Sequence, residues 1–207
     1  MNNEGDPRYI PAIYMTEHVL ATGPNAITLY NKGYYGTPHR DGVILNGFEA
    51  LHLAELGRIQ IHSENNELLN EEVITEFYTE SIPNFMDRYL VYKDLRNRGY
   101  VVNVGEGSSF FFRLYARSAK PKQDPAQYYV TPLKEGGNID LGDLENLMDI
   151  ANKSRKRLVF GLVDAVGDVS YLQISSPIPK PLKNREFANF SSWNWDDVWE
   201  DYQTWEK

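Results

Sequence analysis

The 207-residue chain contains no cysteine, which excludes disulfide bonds, thiolate nucleophiles, zinc–thiolate sites and iron–sulfur clusters. It also lacks any apolar run near the roughly 20 residues that a membrane-spanning helix needs, and this excludes a transmembrane protein. Its first residues, MNNEGDPRYI, have neither the basic nor the apolar region of a secretory signal. We therefore expect the protein to act in the cytoplasm.

Positive charge and histidine are scarce as well. The chain has 21 Lys and Arg against 29 Asp and Glu, a formal net charge of −8, which argues against coating of nucleic acid through overall charge. None of the histidines has a metal-binding spacing with further ligands. All of them lie in the first third of the chain: His18, His39, His52 and His62. Acid–base chemistry in the later two thirds must therefore work without imidazole.

The first part of the chain has the pattern of a small α+β domain, which we predict over residues 1–87. The segment AIYMTEHVLATG is interpreted as a helix that ends at Gly23. A short strand, VIL, precedes a helix capped by Asn46, and a strand with the pattern IQI follows. Helical spacing over residues 70–98 is interrupted by Pro83, which predicts two successive helices.

The next part, residues 88–176, has the pattern of a compact domain built around a sheet. YVVNV, FFFRLYAR, YYVTPL, RLVFGLVD and VSYLQI are β-branched or aromatic runs of the kind found in strands. One amphipathic helix, LGDLENLMDIANKSRK, interrupts them, and the last two strands are expected to form a hairpin around Gly167. The predicted fold class is therefore α/β of the α+β kind, a mixed N-terminal domain followed by a central β-sheet with a flanking helix.

Residues 177–207 differ from both predicted domains. They begin with prolines and basic residues, and then carry all 4 tryptophans of the chain beside acidic residues. Burial of the indoles against the same chain and docking to a partner are both compatible with this acidic, aromatic tail.

Two stretches carry a family resemblance in collinear order. The first is AITLYNKGYYGTPHRDGVILNGFEALHLAELGRIQI, with a Tyr-Gly-x-Pro turn, a strand and a helix containing EAxxL. The second is YKDLRNRGYVVNVG, followed by FRLYAR, YYV, SRKRLVFGLVD and GDVSYLQI. Together, over residues 20–174, they resemble the N-terminal and nuclease domains of the archaeal tRNA-splicing endonuclease family.

The resemblance implies a reaction and a site. Members of the family cut precursor tRNA at bulge–helix–bulge intron boundaries and leave a 2′,3′-cyclic phosphate and a 5′-hydroxyl. They use no metal and no cofactor, and the ribose 2′-hydroxyl is the nucleophile. Their site holds a tyrosine, a histidine and a lysine, which supply a base, an acid and a fixed cation beside the phosphate.

Carried over by position, the family site is incomplete in this chain. Tyr115 takes the place of the tyrosine at the end of FRLY, and Lys156 that of the lysine before LVFGLV. The position of the histidine reads Pro125, in PAQYYV, and a proline side chain cannot donate a proton. From the residues alone, Tyr115 also suits a half-buried sheet aromatic and Lys156 a cation at the end of a helix.

Two further departures concern RNA contacts. The family's glycine-rich turn with a lysine reads GEGSS here, at residues 105–109, and so carries a carboxylate instead of the cation. Asp149 aligns with an arginine that catalytic members use to hold a bulged base. An acidic group at either place repels RNA.

Two more residue sets are predicted, one from the clustering of basic residues and one from the final apolar strand together with the acidic loop that the resemblance implies. Local RNA contact is predicted at a basic face whose main members are Arg113, Arg117, Lys153, Arg155 and Arg157, with Lys120 and Lys122 beside them. Subunit assembly through an acidic hairpin and a pairing edge strand is predicted at Asp164, Asp168, Tyr171, Leu172 and Ile174.

The sequence therefore predicts the structural, non-catalytic subunit of a heteromeric tRNA-splicing endonuclease. Its partner would be a catalytic subunit, in a heterotetramer built as a dimer of heterodimers, and its substrate precursor tRNA. Two alternatives stay open. The chain could itself be catalytic, using Tyr115 and Lys156 with a substitute acid, or it could be a binding module for RNA or protein that reuses the fold.

Overall fold

The computed structural model describes residues 9–105, 112–117, 119–121 and 123–175. It confirms the predicted mixed class, since these residues form helices together with two mixed sheets. The predicted tail at 177–207, most of the GEGSS stretch and Lys122 lie outside the described residues.

The first sheet forms from the N-terminal part of the chain in the order β3-β4-β2-β1-β5. Its strands are β1 (Ile10–Met15), β2 (His18–Thr22), β3 (Thr37–His39), β4 (Gly42–Leu45) and β5 (Ile59–His62). Two helices accompany it, α1 (Ile27–Gly33) and α2 (Gly47–Glu55). The predicted strand VIL and the predicted cap at Asn46 are confirmed, because the Asn46 Oδ1 accepts the Glu49 N–H at 3.0 Å.

The helix predicted for AIYMTEHVLATG is wrong, because this segment forms the β1–β2 hairpin. Ala12, Val19 and Ala21 are buried at alternating positions, a period of two that a helical reading of this apolar segment overlooked. In addition, β1 pairs in parallel with β5, which lies far along the sequence. Tertiary pairing therefore overrides the local helix propensity of the segment.

The second sheet has the order β10-β9-β8-β7-β6. Its strands are β6 (Val101–Val104), β7 (Phe112–Tyr115), β8 (Tyr128–Lys134), β9 (Arg157–Val163) and β10 (Val169–Ile174), and the helices of this part are α3 (Glu71–Ser81), α4 (Phe85–Asn97) and α5 (Leu141–Lys153). The break at Pro83 and the final hairpin agree with the sequence pattern. The predicted domain boundary between residues 87 and 88 falls inside α4 and stays a prediction.

One hydrophobic core joins the two sheets through helices α2 and α4. Phe48 of α2 stacks on Phe85 of α4 with ring centroids 5.0 Å apart, and meets Phe112 of β7 edge-on at 5.7 Å. These three rings are almost fully buried. Gly161 of β9 lies against α4, where a Cβ would come within 2.8 Å of the Val91 Cγ1, so this glycine allows the close approach of α4.

Helix α5 forms a second core on the other face of the second sheet. Leu147 and Ala151 of the helix pack with Tyr129, Leu158 and Phe160 of the sheet. The strands between α4 and α5 are therefore covered on both faces, which explains their nearly continuous apolar runs.

Candidate functional site

The register of the second sheet brings the three positions predicted for the family's site to one end of the sheet. Leu114 pairs with Tyr128, which in turn pairs with Arg157. Tyr115 comes directly after Leu114, and Lys156 directly before Arg157, so both lie at the same end of three neighbouring strands. Pro125 lies in the segment that leads into the middle strand. We call Tyr115, Pro125 and Lys156 the strand-end site.

Backbone hydrogen bonds extend the sheet into this site. The Gln127 N–H donates to the Leu114 carbonyl at 2.9 Å, and the Arg157 N–H donates to the Gln127 carbonyl at 3.1 Å. The strand ends that carry Tyr115 and Lys156 are therefore held by the segment that follows Pro125. The geometry of the strand-end site depends on pairing between residues more than 10 positions apart along the chain.

Tyr115 is built into a small apolar cluster. Its side chain is 8% exposed and packs with Val101, Ala119 and Ala126. Val101 is also its register partner across β6 and β7. Tyr115 therefore has the burial of a core aromatic residue, although it lies at the family's tyrosine position.

The turn that ends α5 positions Lys156. The Lys156 N–H donates to the Ala151 carbonyl at 2.8 Å and the Arg155 N–H donates to the Asn152 carbonyl at 2.9 Å, the hydrogen-bond pattern of a Schellman motif. Arg155 takes the left-handed conformation in this motif, with φ +55°. The Lys156 Nζ donates to the Ser154 carbonyl at 3.3 Å, so the ammonium group is turned towards the carboxyl end of α5.

Pro125 follows a tight turn in an exposed segment. The Lys120 N–H donates to the Asp124 Oδ2 at 2.7 Å, and the Gln123 N–H donates to the Lys120 carbonyl at 2.7 Å. Pro125 itself is exposed, whereas the next residue, Ala126, is buried against Tyr115. A ring without a titratable atom therefore lies at the position predicted to correspond to the family's histidine.

The predicted RNA-binding residues separate into two groups in the structure. Arg117 and Arg157 lie close to the strand-end site, and each contacts an aromatic ring. The Arg117 guanidinium lies 5.0 Å from the Tyr100 ring, and that of Arg157 lies 5.6 Å from the Tyr128 ring. Both guanidinium groups thus have one planar face held by an aromatic side chain.

The other predicted RNA-binding residues have different surroundings. Lys153 lies 3.5 Å from Asp149, one turn earlier on α5, so this acid partly offsets its charge. Arg155 is exposed. Arg113 lines a cleft of about 430 Å³ whose other walls include His18 and Glu49 of the first sheet and α2.

Comparison with known proteins identifies the chain. The family model for the N-terminal domain of tRNA intron endonuclease matches residues 16–75, and the one for the catalytic C-terminal domain matches residues 85–171. A tRNA-splicing endonuclease of Methanococcus vannielii is 33% identical over 162 residues, 78% of this chain and 91% of that protein. The chain belongs to the tRNA-splicing endonuclease family.

Other members of the tRNA-splicing endonuclease family differ in length. The protein of Thermococcus gammatolerans is 33% identical over 159 residues, and the match covers 92% of it. The protein of Methanococcoides burtonii is 33% identical over 148 residues, but the match covers only 41% of it. This chain therefore spans less than half the length of some relatives that it matches. In the part of the chain that the structure describes, no helix is both long and apolar enough to cross a membrane.

The residues predicted for subunit assembly lie on the final hairpin, and β10 is an edge strand of the described sheet. Leu172 is 51% exposed on this strand, whereas Ile174 packs against the α5 core. The Asp164 Oδ1 accepts the Val166 and Asp168 N–H groups at 2.9 and 2.8 Å. Asp164 therefore stabilises the turn itself, and Asp168 is exposed beside it.

Tyr171 is bound within its own chain. Its hydroxyl donates to the Asp94 Oδ2 of α4 at 2.7 Å, and the same oxygen accepts the Arg98 Nε–H at 2.6 Å. Burial, with the neighbouring Asp94, raises the pKa of Tyr171 above its ordinary value. Tyr171 thus anchors the edge strand to α4. Leu172, the next residue, lies on the opposite face of the strand.

Two charged residues that the sequence pattern did not single out lie near the Tyr-Gly-x-Pro turn, the buried Glu49 and the half-buried Arg96. The Glu49 carboxylate accepts the Gly36 N–H at 2.8 Å and the Asn46 N–H at 3.0 Å. The Arg96 Nη2 donates to the Gly33 carbonyl at 2.7 Å, and its guanidinium lies 3.7 Å from the Tyr35 ring. Burial raises the pKa of Glu49, and the two backbone donors act against this.

A signal for Glu49 was present in the sequence. Asn46 was recognised as a helix cap, and Glu49 stands three residues later, the spacing of a capping box. No local pattern indicates the bond of Glu49 to Gly36, 13 residues earlier, or that of Arg96 to Gly33, 63 residues earlier, because both join different elements of the fold.

Proposed function

We propose that this chain is the structural, non-catalytic subunit of a heteromeric tRNA-splicing endonuclease. The assembly would remove introns from precursor tRNA at bulge–helix–bulge sites and leave 2′,3′-cyclic phosphate and 5′-hydroxyl ends. One observation carries the proposal. Pro125 lies in the segment that leads into β8, and β8 lies between the strand that ends at Tyr115 and the strand that follows Lys156. Departure of the 5′-oxygen needs a proton donor, and a proline ring has none.

The rest of the chain supplies no imidazole at this place. No histidine follows His62 in the sequence. His18, His39 and His62 belong to strands of the first sheet, and His52 is buried in α2. General acid catalysis at the strand-end site would therefore need a group other than histidine.

The surroundings of the two remaining family positions support a structural role. Tyr115 is packed in an apolar cluster, and the ammonium group of Lys156 contacts a backbone carbonyl at the end of α5. Both contacts stabilise the fold without any substrate. A scaffold that keeps the tyrosine and the lysine for packing and helix capping has no need for the histidine.

The partner in this proposal is a catalytic subunit that carries the complete tyrosine, histidine and lysine set. The edge strand β10 offers backbone N–H and carbonyl groups for pairing with an equivalent strand, and Leu172 offers an exposed apolar side chain. Asp168 on the hairpin adds negative charge for a basic cleft of the partner. Two such heterodimers would form the heterotetramer that binds precursor tRNA in the cytoplasm.

The test is cleavage of an end-labelled bulge–helix–bulge RNA in EDTA. This chain, a catalytic subunit of the same family and their mixture are assayed separately. We expect cleavage only in the mixture, with a 2′,3′-cyclic phosphate at the new end. Cleavage by this chain alone would contradict the proposal, as would a mixture that neither associates nor cleaves.

Substitution of Tyr115 by Phe separates a scaffold from an enzyme. The mixture containing Tyr115→Phe should cleave at the rate of the unchanged mixture, because the hydroxyl takes no part in the reaction. If this chain were catalytic, loss of a proton-transfer group would slow cleavage by about 10²- to 10⁴-fold. Tyr128→Phe on the neighbouring strand is the matched control for loss of a tyrosine hydroxyl in the same sheet.

A further inference from the structure

A small cavity lies beside the strand-end site and includes none of its residues. Its volume is about 160 Å³, and it lies between the end of α1 and the turn that precedes Pro125. Five side chains line it: Tyr30, Asn31, Tyr34, Lys120 and Gln123. Of these residues, only Lys120 belongs to the predicted basic face.

One wall of the cavity is aromatic and shares its packing with the strand-end site. Tyr30 and Tyr34 are one helical turn apart at the end of α1, and Tyr34 ends the helix in the left-handed conformation, with φ +53°. The Tyr34 side chain packs against the cluster that contains Tyr115 and Ala126. Tyr34 therefore contributes both to the lining of the cavity and to the packing around Tyr115.

The opposite wall is formed by Lys120 and Gln123. The Asp124 carboxylate accepts the Lys120 N–H at 2.7 Å, and the Lys120 carbonyl accepts the Gln123 and Asp124 N–H groups at 2.7 and 2.8 Å. The backbone N–H groups of Lys120, Gln123 and Asp124 are therefore satisfied within this segment. The side chains of Lys120 and Gln123 stay exposed and border the cavity.

The lining combines three kinds of group that suit a nucleotide. Tyrosine rings stack on nucleobases, amide side chains donate to and accept from base edges, and an ammonium group attracts a phosphate. A volume of about 160 Å³ admits one planar ring system, whereas drug-sized ligands occupy about 300–1,000 Å³.

We propose that this cavity binds one unpaired ribonucleotide of the RNA substrate. The base lies against Tyr30 and Tyr34, the amides of Asn31 and Gln123 contact its edge, and Lys120 contacts its phosphate. The proposal rests on the proposed function, since the RNA is the substrate of the assembly. It gives the structural subunit its own contact with the unpaired part of the RNA, next to the position where the family's histidine is missing.

The first experiment is a titration of the full chain with a fluorescein-labelled single-stranded hexaribonucleotide, read by anisotropy. The double variant Asn31→Ala with Gln123→Ala should bind about tenfold more weakly, because two base-edge hydrogen bonds are lost. Lys120→Gln should weaken binding and lower the slope of log Kd against log salt by about 0.7, the value for one phosphate contact on a single strand. AMP, GMP, CMP and UMP are tested as competitors.

Matched controls are available in and just before α1, at residues that do not line the cavity. Lys32→Gln removes the same charge from an exposed position of α1, and Asn25→Ala removes an exposed amide just before that helix. Tyr30→Phe keeps a stacking ring, whereas Tyr30→Leu removes it, and thermal unfolding of both variants checks their folding. Equal binding of the lining variants and the controls, or equal binding of the Leu and Phe variants, would overturn the proposal.

The binding titration involves no cleavage, so the two proposals fail separately. If the lining variants bind RNA more weakly but the mixture with a catalytic subunit never cleaves, the nucleotide site stands and the proposed function fails. If the mixture cleaves while all lining variants bind RNA like the unchanged chain, the nucleotide site fails and the proposed function stands.

Discussion

The two sheets differ in how much of each is covered, and the sequence of their strands reflects this. In the first sheet, β2 alternates between buried and half-buried residues, and on β1 Ile13 and Met15 are each 39% exposed. In the second sheet, α4 and α5 pack on opposite faces. Five of the six residues that follow Arg157 in β9 are buried. A sheet with one covered face has alternating strands, and a sheet covered twice has continuous apolar strands.

The difference explains only part of which strands were recognised from sequence, since β4 and β5 of the first sheet alternate in burial and were predicted as well. The runs of β8, β9 and β10 are strongly apolar or β-branched, and they were predicted as strands. The hairpin of β1 and β2 mixes apolar and polar residues, and it was predicted as a helix. A half-covered strand gives a weaker sequence signal than a strand buried on both faces.

The largest expected effect comes from breaking the contact that joins the two sheets. Phe48→Ala should lower the free energy of unfolding by about 3–5 kcal/mol, because it leaves a cavity between Phe85 and Phe112. Denaturant unfolding followed by far-UV circular dichroism and by tyrosine fluorescence measures the loss. Because one core joins the sheets, both probes should shift together.

The control for this change is Ile13→Ala, which shortens a side chain on the exposed face of the first sheet and should cost much less. Two separate transitions in the Phe48→Ala variant would show that the sheets unfold independently. That result would favour the predicted boundary near residue 87 over a shared core.

The second prediction concerns a histidine buried next to the first sheet. His52 is 2% exposed, and in the described part of the chain its Nδ1 has no hydrogen-bond partner. Burial, together with the charge of Arg96, lowers its pKa to about 4 from the ordinary 6.5. The folded chain therefore keeps His52 neutral over a range where the unfolded chain protonates it.

The sign of the pH effect follows from that difference. As pH falls from 6.5 towards 4, only the unfolded state gains the proton, so the free energy of unfolding should drop by about 3 kcal/mol. His52→Phe keeps a ring between Tyr35 and Tyr92 and should remove this drop. Urea unfolding at a series of pH values measures the free energy of unfolding of both proteins. His39→Phe, at an exposed position, is the control. An unchanged pH profile in His52→Phe would show that another group causes the loss.

The smallest expected changes in stability come from substitutions at the C-terminal ends of α2 and α5. Gly57 follows α2 and Arg155 follows α5, and both have a left-handed backbone, with φ +61° and +55°. Arg155→Gly should be more stable than Arg155→Ala by about 1 kcal/mol, since only glycine adopts this conformation without strain. Gly57→Ala should be destabilising by a similar amount. Thermal unfolding of the three variants measures both differences, and equal stability of the Gly and Ala variants at 155 would contradict the strain argument.

Part of the strand-end site was predictable from sequence and part was not. The run FRLY predicted a strand that ends at Tyr115, and the run before LVFGLV predicted a helix end near Lys156. The burial of Tyr115 by Ala119 and Ala126 was not predictable, because both alanines belong to a loop without a periodic pattern. The cavity lined by Tyr30 and Lys120 joins segments 90 residues apart along the chain and has no local signature.

The sequence by itself determined the composition of the chain and the type of residue at each position. The absence of cysteine, the absence of histidine after His62 and the proline at position 125 are covalent facts that no folding changes. The fold decided which residues meet. The pairing of β1 with β5, the burial of Glu49 beneath Gly36 and the alignment of Tyr115 with Lys156 depend on hydrogen bonds and packing between distant segments. Such contacts form only when the whole core assembles, because the entropy cost of closing long loops is offset only by burial shared across the fold.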